Sequence, residues 1–95
     1  MTTALPVATR FLVEWYRPNL TRELIDGMVA GLNAAIAILS AEGSPVWLVM
    51  TVAVPTDEVL YGVFAADTLD LVRAACERAG SVPERMSVDI DARTF

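Results

Sequence analysis

Histidine and lysine are absent from this chain, and cysteine occurs once, as Cys76. Without histidine the chain lacks the usual general base near neutral pH and the commonest nitrogen ligand for a transition metal. The seven basic residues are all arginines, and a net charge of −5 disfavours binding to nucleic-acid backbones or anionic lipids. One cysteine excludes an intrachain disulfide and is typical of a reducing compartment. These absences predict a cytoplasmic protein that binds neither nucleic acid nor a membrane.

The sequence also shows no signal peptide or long apolar run. Residues 1–8 have neither a charged n-region nor an apolar h-region, which predicts a short, loose leader. The longest nearly apolar run, Met28–Leu39, is interrupted by Asn33 and is shorter than the roughly 20 residues that cross a bilayer. Residues 9–95 are expected to form a single domain.

Hydrophobic residues, in contrast, are abundant. They make up 55% of the chain, and the mean hydropathy is +0.49. A monomer of this size has a high ratio of surface to volume, so it cannot easily hide that much apolar surface. A second copy of the same chain could cover the surplus. We therefore expect a homodimer or a higher homo-oligomer.

The stretch Arg10–Arg17 predicts the first strand, which ends before Pro18. Alternation along a strand gives it two different faces. One face is apolar and is expected to lie in the core; it carries Phe11, Val13 and Trp15. The other face combines a leucine with a carboxylate and a phenol, and it carries Leu12, Glu14 and Tyr16. A functional site is expected on this second face.

The remaining elements follow from periodicity and capping signals. Thr21 is expected to cap a helix that runs to about Ala41 with an apolar stripe along it. Residues 46–54 and 59–65 predict two strands of a hairpin joined by turn residues 55–58. Asp67 is expected to cap a second helix, which ends before Gly80 and buries Cys76. A last strand is predicted at 86–91, with its inward residues in alternation: Met86, Val88 and Ile90.

The element order β-α-β-β-α-β predicts an α+β, ferredoxin-like fold. Right-handed crossovers in its two halves give a four-stranded antiparallel sheet in the order 4-1-3-2, with two helices on one face. The other sheet face then has no cover from the two helices. The glycines at 27 and 31 also allow close approach to the back of the first helix around Ala34, so docking of another protein there is a further interpretation.

Short motifs spread from about Arg10 to Ile90 resemble a family of small actinobacterial proteins. The matching segments are Phe11-Leu12-Val13-Glu14, Tyr16, Pro18, Leu20-Thr21, Val54-Pro55, Glu77-Arg78-Ala79-Gly80 and Pro83. That family is a domain of unknown function whose characterised members are nickel-responsive or nickel-binding. The resemblance implies a ferredoxin-like fold, dimerisation and divalent-metal binding. Many members, however, have a histidine in place of Ala75, and often a cysteine and a glutamate in place of Gly62 and Ala65. Because this chain lacks those residues, its nickel binding is expected to be weak or absent.

The uncovered sheet face holds the candidate site. In the predicted strand order Glu14 has Asp89 and Tyr61 as cross-strand neighbours, and two partly desolvated carboxylates could share a proton or bind a hard cation. The competing interpretation is that Asp89 is solvated and that Glu14 pairs with an arginine such as Arg10 or Arg93. The residues expected to contact a ligand are Glu14, Tyr16, Trp47, Met50 and Tyr61, and those proposed for a metal are Glu14 and Asp89.

Three functions remain open from the sequence. The first is a homo-oligomeric, non-catalytic binding protein whose ligand is small and apolar or a divalent ion. The second is a cofactor-free oxygenase or isomerase that encloses an apolar substrate, with Glu14 or Tyr61 as base or hydrogen-bond donor. The third is a protein interaction module that uses the back of the first helix. Hydrolytic or acyl-transfer chemistry is disfavoured, because no histidine can activate a nucleophile.

Overall fold

The computed structural model describes residues 9–95, so the leader predicted for residues 1–8 lies outside the described residues. The elements in chain order are β1 (Thr9–Tyr16), α1 (Arg22–Ala41), β2 (Val46–Val54), β3 (Val59–Ala66), α2 (Leu69–Arg78) and β4 (Arg85–Ser87). A short 3-10 turn, Pro55–Asp57, joins β2 to β3. All strand pairs are antiparallel, and the sheet order is β2-β3-β1-β4. This is the predicted 4-1-3-2 order read from the opposite edge, and the ferredoxin-like α+β fold is confirmed.

The core lies between one face of the sheet and the two helices. The apolar face of β1 is completely or almost completely buried, as its alternation predicts. It packs in one cluster with residues of β3, α1 and α2, among them Leu60, Phe64, Leu32, Leu39, Val72 and Cys76. Both helices therefore contact the same sheet face, because each buries its apolar stripe there.

Trp15 is the largest side chain of this core. Its indole N–H donates a hydrogen bond of 2.8 Å to the carbonyl oxygen of Ser81, which satisfies the one polar atom of the ring. The ring meets Phe64 edge to face, with centroids 6.2 Å apart. Gly62 leaves room for both rings: a Cβ at that position would lie 2.9 Å from the Trp15 ring and 3.1 Å from Phe64. Close packing thus requires a glycine at this point of β3.

Helix α1 begins as predicted, with the Thr21 hydroxyl accepting a hydrogen bond from the Leu24 amide. By length and composition alone α1 could cross a membrane, a test that core helices of globular proteins also pass. Its outer side is apolar and exposed at Gly27 and Ala34, whereas Gly31 packs close to the Ala79 carbonyl of the α2 terminus. Of the two glycines predicted to admit a partner, Gly31 therefore packs inside the domain, and Gly27 is the one that stays exposed.

Two expectations about the second half of the chain are wrong. Thr68, and not Asp67, caps α2, since the Thr68 hydroxyl accepts from the Leu71 amide and the helix starts one residue later than expected. Strand β4 is short: it pairs with β1 only from Arg85 to Ser87. Beyond it Asp89 adopts a left-handed conformation with φ 53°, which turns the chain away from the ladder. Val88 is consequently exposed and not inward.

Candidate functional site

The sheet face opposite the two helices is the candidate site, and we call it the open face. The strand registers and the alternation of side chains define its members. They are Arg10, Leu12, Glu14 and Tyr16 on β1; Trp47, Met50, Val52 and Val54 on β2; Val59, Tyr61, Val63 and Ala65 on β3; and Arg85 and Ser87 on β4. The predicted separation of the two faces of β1 and β3 is confirmed.

A polar row crosses the middle of the open face. Glu14 is directly opposite Tyr61 on β3 and directly opposite Arg85 on β4, and Val52 on β2 extends the row beyond Tyr61. Such directly opposed residues are the closest neighbours that a sheet provides. The structure therefore brings Glu14, Tyr16 and Tyr61 together, as the sequence predicts.

Glu14 is buried although it lies on the open face, with only 7% of its surface exposed. The Tyr16 hydroxyl donates a hydrogen bond of 2.8 Å to Glu14 Oε1. Arg85 Nε lies 3.6 Å from the other carboxylate oxygen, Oε2, which is an ion pair but too long for a hydrogen bond. The hydrogen bond to Glu14 raises the pKa of Tyr16 above its usual 10.0, since the neutral phenol is the donor, and desolvation acts in the same direction. Tyr16 therefore stays a hydrogen-bond donor to Glu14 at physiological pH.

The rows on either side of Glu14 are mostly apolar, with Ser87 beside Leu12 as the polar member. One row consists of Tyr16, Val59 and Val54, and the other contains Leu12, Val63 and Met50. The valines of β3 are buried at the centre, whereas Tyr16, Met50 and Val52 are each 45% exposed or slightly more. The open face thus departs from a usual protein surface: its carboxylate is buried, whereas the hydrophobic side chains of Tyr16, Met50 and Val52 are exposed.

A β-bulge places the residues of β2 on this face. Leu48 pairs with Phe64, but Met50 pairs with the next residue of β3, Val63, so Val49 is an extra residue in the ladder. Without the bulge, strict alternation from Val46 would turn Met50 toward the helices. The bulge instead aligns Met50 with Trp47, which is half-buried at the end of the face opposite Ala65. All five residues expected to contact a ligand therefore share the open face.

Asp89 does not join them. The register places Arg85 beside Glu14, and Asp89 is exposed in the bend that follows β4. The predicted cross-strand pair of Glu14 and Asp89 is therefore not formed. The competing interpretation, in which Glu14 forms an ion pair with an arginine, matches the structure, but the arginine is Arg85. Arg93 pairs with Asp91 instead. Within residues 9–95 no group of three or more Asp, Glu, Cys or His side chains is arranged to hold a metal ion.

Arg85 is the site residue that sequence analysis missed. It precedes the predicted start of the last strand by one residue, and alternation puts residues 85, 87, 89 and 91 on the same face. Periodicity therefore identified the face but could not decide which of these residues stands opposite Glu14.

Neither an enclosed cavity nor a reactive thiol is found in the described part of a single chain. No pocket opens among residues 9–95, since the open face is a broad sheet surface. Cys76 is fully buried in α2, and burial raises the pKa of its thiol from 9.0 to about 12. A thiolate nucleophile is accordingly not available near neutral pH.

Comparisons with known proteins give the fold only. No family model matches the chain, and no curated protein matches it. The crystal structure of SCO4226 from Streptomyces coelicolor A3(2) is similar, with a TM-score of 0.70 and 16% sequence identity, over 87% of this chain and 99% of that one. Similarity at this level of identity supports the ferredoxin-like fold and carries no function with it. Membership of the nickel-binding family stays a prediction.

Proposed function

We infer that this protein is a homodimeric, non-catalytic binding protein, and that it holds a small, largely apolar ligand against its open face with Glu14 as the polar anchor. The observation that carries this proposal is the position of Glu14. A buried, hydrogen-bonded carboxylate on a sheet face that also carries exposed hydrophobic side chains has the composition of a small-molecule site, which is mostly apolar with a few oriented polar groups.

The flatness of the open face supports the homodimeric part of the proposal. A drug-sized ligand is normally buried over most of its surface, and no pocket among residues 9–95 of one chain could do this. A second sheet stacked on the first would enclose the ligand between two apolar faces. The exposed Met50 and Val52 side chains would then be buried by the ligand and the partner.

The chemistry of the face favours binding over catalysis. Glu14 Oε1 already accepts a hydrogen bond from Tyr16, and Oε2 faces Arg85, so the side chain is held in place as a hydrogen-bond acceptor for a ligand. A cofactor-free oxygenase or isomerase is the alternative, in which Glu14 would act as a base on an apolar substrate. Recovery of the bound ligand chemically unchanged supports binding. If the wild type converts that ligand and Glu14→Gln does not, the enzyme is supported.

Native mass spectrometry of protein purified without added ligand tests the proposal. We expect a dimer that carries one or two copies of a retained small molecule. Glu14→Gln should lose that molecule or exchange it faster, because the amide is a weaker acceptor than a carboxylate. The matched control is Asp26→Asn, which removes an exposed carboxylate from α1 on the other side of the sheet.

The uncharged dye Nile red gives a second readout. Its fluorescence should rise on binding the wild type and Asp26→Asn equally, and Met50→Asp should abolish the rise, since it introduces a charge among the hydrophobic side chains. A monomer without retained ligand and without dye binding would refute the proposed function.

A further inference from the structure

Glu14 Oε2 and the Tyr61 hydroxyl are among the polar atoms of the open face that make no hydrogen bond inside the described part of the chain. Glu14 Oε2 has only the ion pair with Arg85 at 3.6 Å, and the Tyr61 hydroxyl neither donates to nor accepts from another group of residues 9–95. Both atoms reach solvent, since no fully buried side-chain N or O of these residues lacks a partner. Tyr61 stands directly across from Glu14, but the hydrogen bond to Glu14 comes from Tyr16. The face therefore presents a carboxylate acceptor and a phenol donor in adjacent strands, both available to a partner.

These two groups complement each other in one stacking of two sheets. If the two-fold axis runs parallel to the strands, midway between β1 and β3, then β1 of each copy lies over β3 of the other. Glu14 then faces Tyr61 of the second copy, and Arg85 faces Val52 of the second copy. Stacked sheets lie about 10 Å apart, which a glutamate and a tyrosine from opposite sides can span.

The other aligned stacking brings like charges together. A two-fold axis that crosses the strands along the polar row would place Glu14 over Glu14 of the second copy and Arg85 over Arg85 of the second copy. Like charges that meet in a desolvated interface are strongly unfavourable. Between these two stackings, both of which overlay all four strands, charge therefore favours the one in which β1 lies over β3.

The area of the open face is close to what such a contact needs. Three strands of about eight residues and the three residues of β4, with strands about 4.8 Å apart and residues about 3.3 Å apart, cover roughly 430 Å² per copy, or about 860 Å² for two copies before side-chain relief is added. Side-chain relief brings this area toward the roughly 1,000 Å² at which specific interfaces begin. Because Glu14 is already buried and hydrogen-bonded in the single chain, covering the face removes little further water from its charge.

We propose that a second copy of this chain covers the open face with β1 over β3, and that the Tyr61 hydroxyl of each copy donates a hydrogen bond to Glu14 of the other. This arrangement rests on the proposed homodimer and specifies its geometry. Each dimer then contains two symmetry-related hydrogen bonds at the centre of its interface.

A double-mutant cycle followed by analytical ultracentrifugation tests the hydrogen bond. Tyr61→Phe removes only the hydroxyl, so the dimer dissociation constant should rise by at least about a hundredfold through the loss of two hydrogen bonds to a charged group. In the Glu14→Gln background the same change should have a much smaller effect, because the charged acceptor is gone. Asp26→Asn, which removes an exposed carboxylate from α1 on the other side of the sheet, is the control and should leave the dissociation constant unchanged. Equal effects of Tyr61→Phe in both backgrounds would overturn the proposal.

Cross-linking tests the stacking independently. Val52→Cys and Arg85→Cys should be joined by a short bismaleimide when the two variants are mixed, and neither should link to itself. The pair Met50→Cys and Ser87→Cys, which keeps Arg85, should behave in the same way, since these residues occupy the next row. Wild-type protein should not link, because Cys76 is buried.

The outcomes separate this proposal from the function it rests on. A wild-type monomer at micromolar concentration refutes the homodimer and the stacking together. A dimer in which Val52→Cys links to itself leaves the homodimer intact and refutes the stacking of β1 over β3. A dimer that links in neither way, with ligand still retained, places the interface elsewhere and also refutes the stacking.

Discussion

Tyr16 and Glu14 lie two residues apart on the same face of β1, and the phenol of the first donates a 2.8 Å hydrogen bond to the carboxylate of the second. The exposed ring therefore shields a buried charge. This pair explains how a carboxylate is tolerated at 7% exposure on a surface of hydrophobic side chains.

The first prediction concerns the pH dependence of this pair. Because the pKa of Tyr16 is raised in the folded state, its contribution to stability is complete below its usual value of 10.0 and is lost as the pH rises through the folded value. The difference in tyrosinate absorbance between wild type and Tyr16→Phe should show Tyr16 ionising above 10.0. In Glu14→Gln the titration should move back toward the usual value, and an unchanged titration would contradict the assignment of the shift to Glu14.

The second prediction concerns the space under Trp15. Gly62→Ala should destabilise the fold by about 1–3 kcal/mol, since the new methyl group would overlap the buried rings of Trp15 and Phe64. Gly27→Ala is the matched control: nothing lies within 4 Å of a Cβ there, and alanine in a helix interior should stabilise by about 0.5–1 kcal/mol. Urea unfolding followed by circular dichroism measures both, and effects of the same sign would contradict the packing described for Gly62.

The third prediction concerns Cys76. Its buried thiol should not react with iodoacetamide at about pH 8 in the native protein and should react once urea exposes it, because only the thiolate is nucleophilic. The raised folded pKa also means that its contribution to stability is present below pH 9.0 and is lost between 9.0 and about 12. Mass spectrometry of the labelled protein checks the reactivity, and rapid native labelling would show that α2 opens readily.

The fourth prediction concerns nickel. Calorimetric titration of the wild type with nickel should show weak binding or none, because the chain has no histidine and the carboxylate of Glu14 faces Arg85. Glu14→Gln and Asp89→Asn should give the same trace as the wild type. Tight nickel binding at a simple stoichiometry would contradict the expectation that Gly62, Ala65 and Ala75, which replace the cysteine, glutamate and histidine of many family members, leave nickel binding weak or absent.

Local patterns predicted most elements of the fold for clear physical reasons. Alternation along β1 separated its two faces, and the Thr21 signal located the start of α1, because both depend on residues that are near in the chain. The cap of α2 was misplaced by one residue, since Asp67 and Thr68 are both good caps and only the backbone conformation at Thr68 distinguishes them. The early end of β4 depends on the left-handed Asp89, which alternation does not reveal.

The sequence by itself determined that Glu14, Tyr16 and Tyr61 would share an apolar sheet face away from the helices, because the period of a strand and the order of the elements are local properties. Only the tertiary structure decided that Arg85 stands beside Glu14 in place of Asp89, and that a bulge turns Met50 and Val52 onto that face. Both depend on the register between strands that are distant in the chain. Register is set by packing and turn geometry across the whole sheet, and a shift of one residue moves every side chain to the other face.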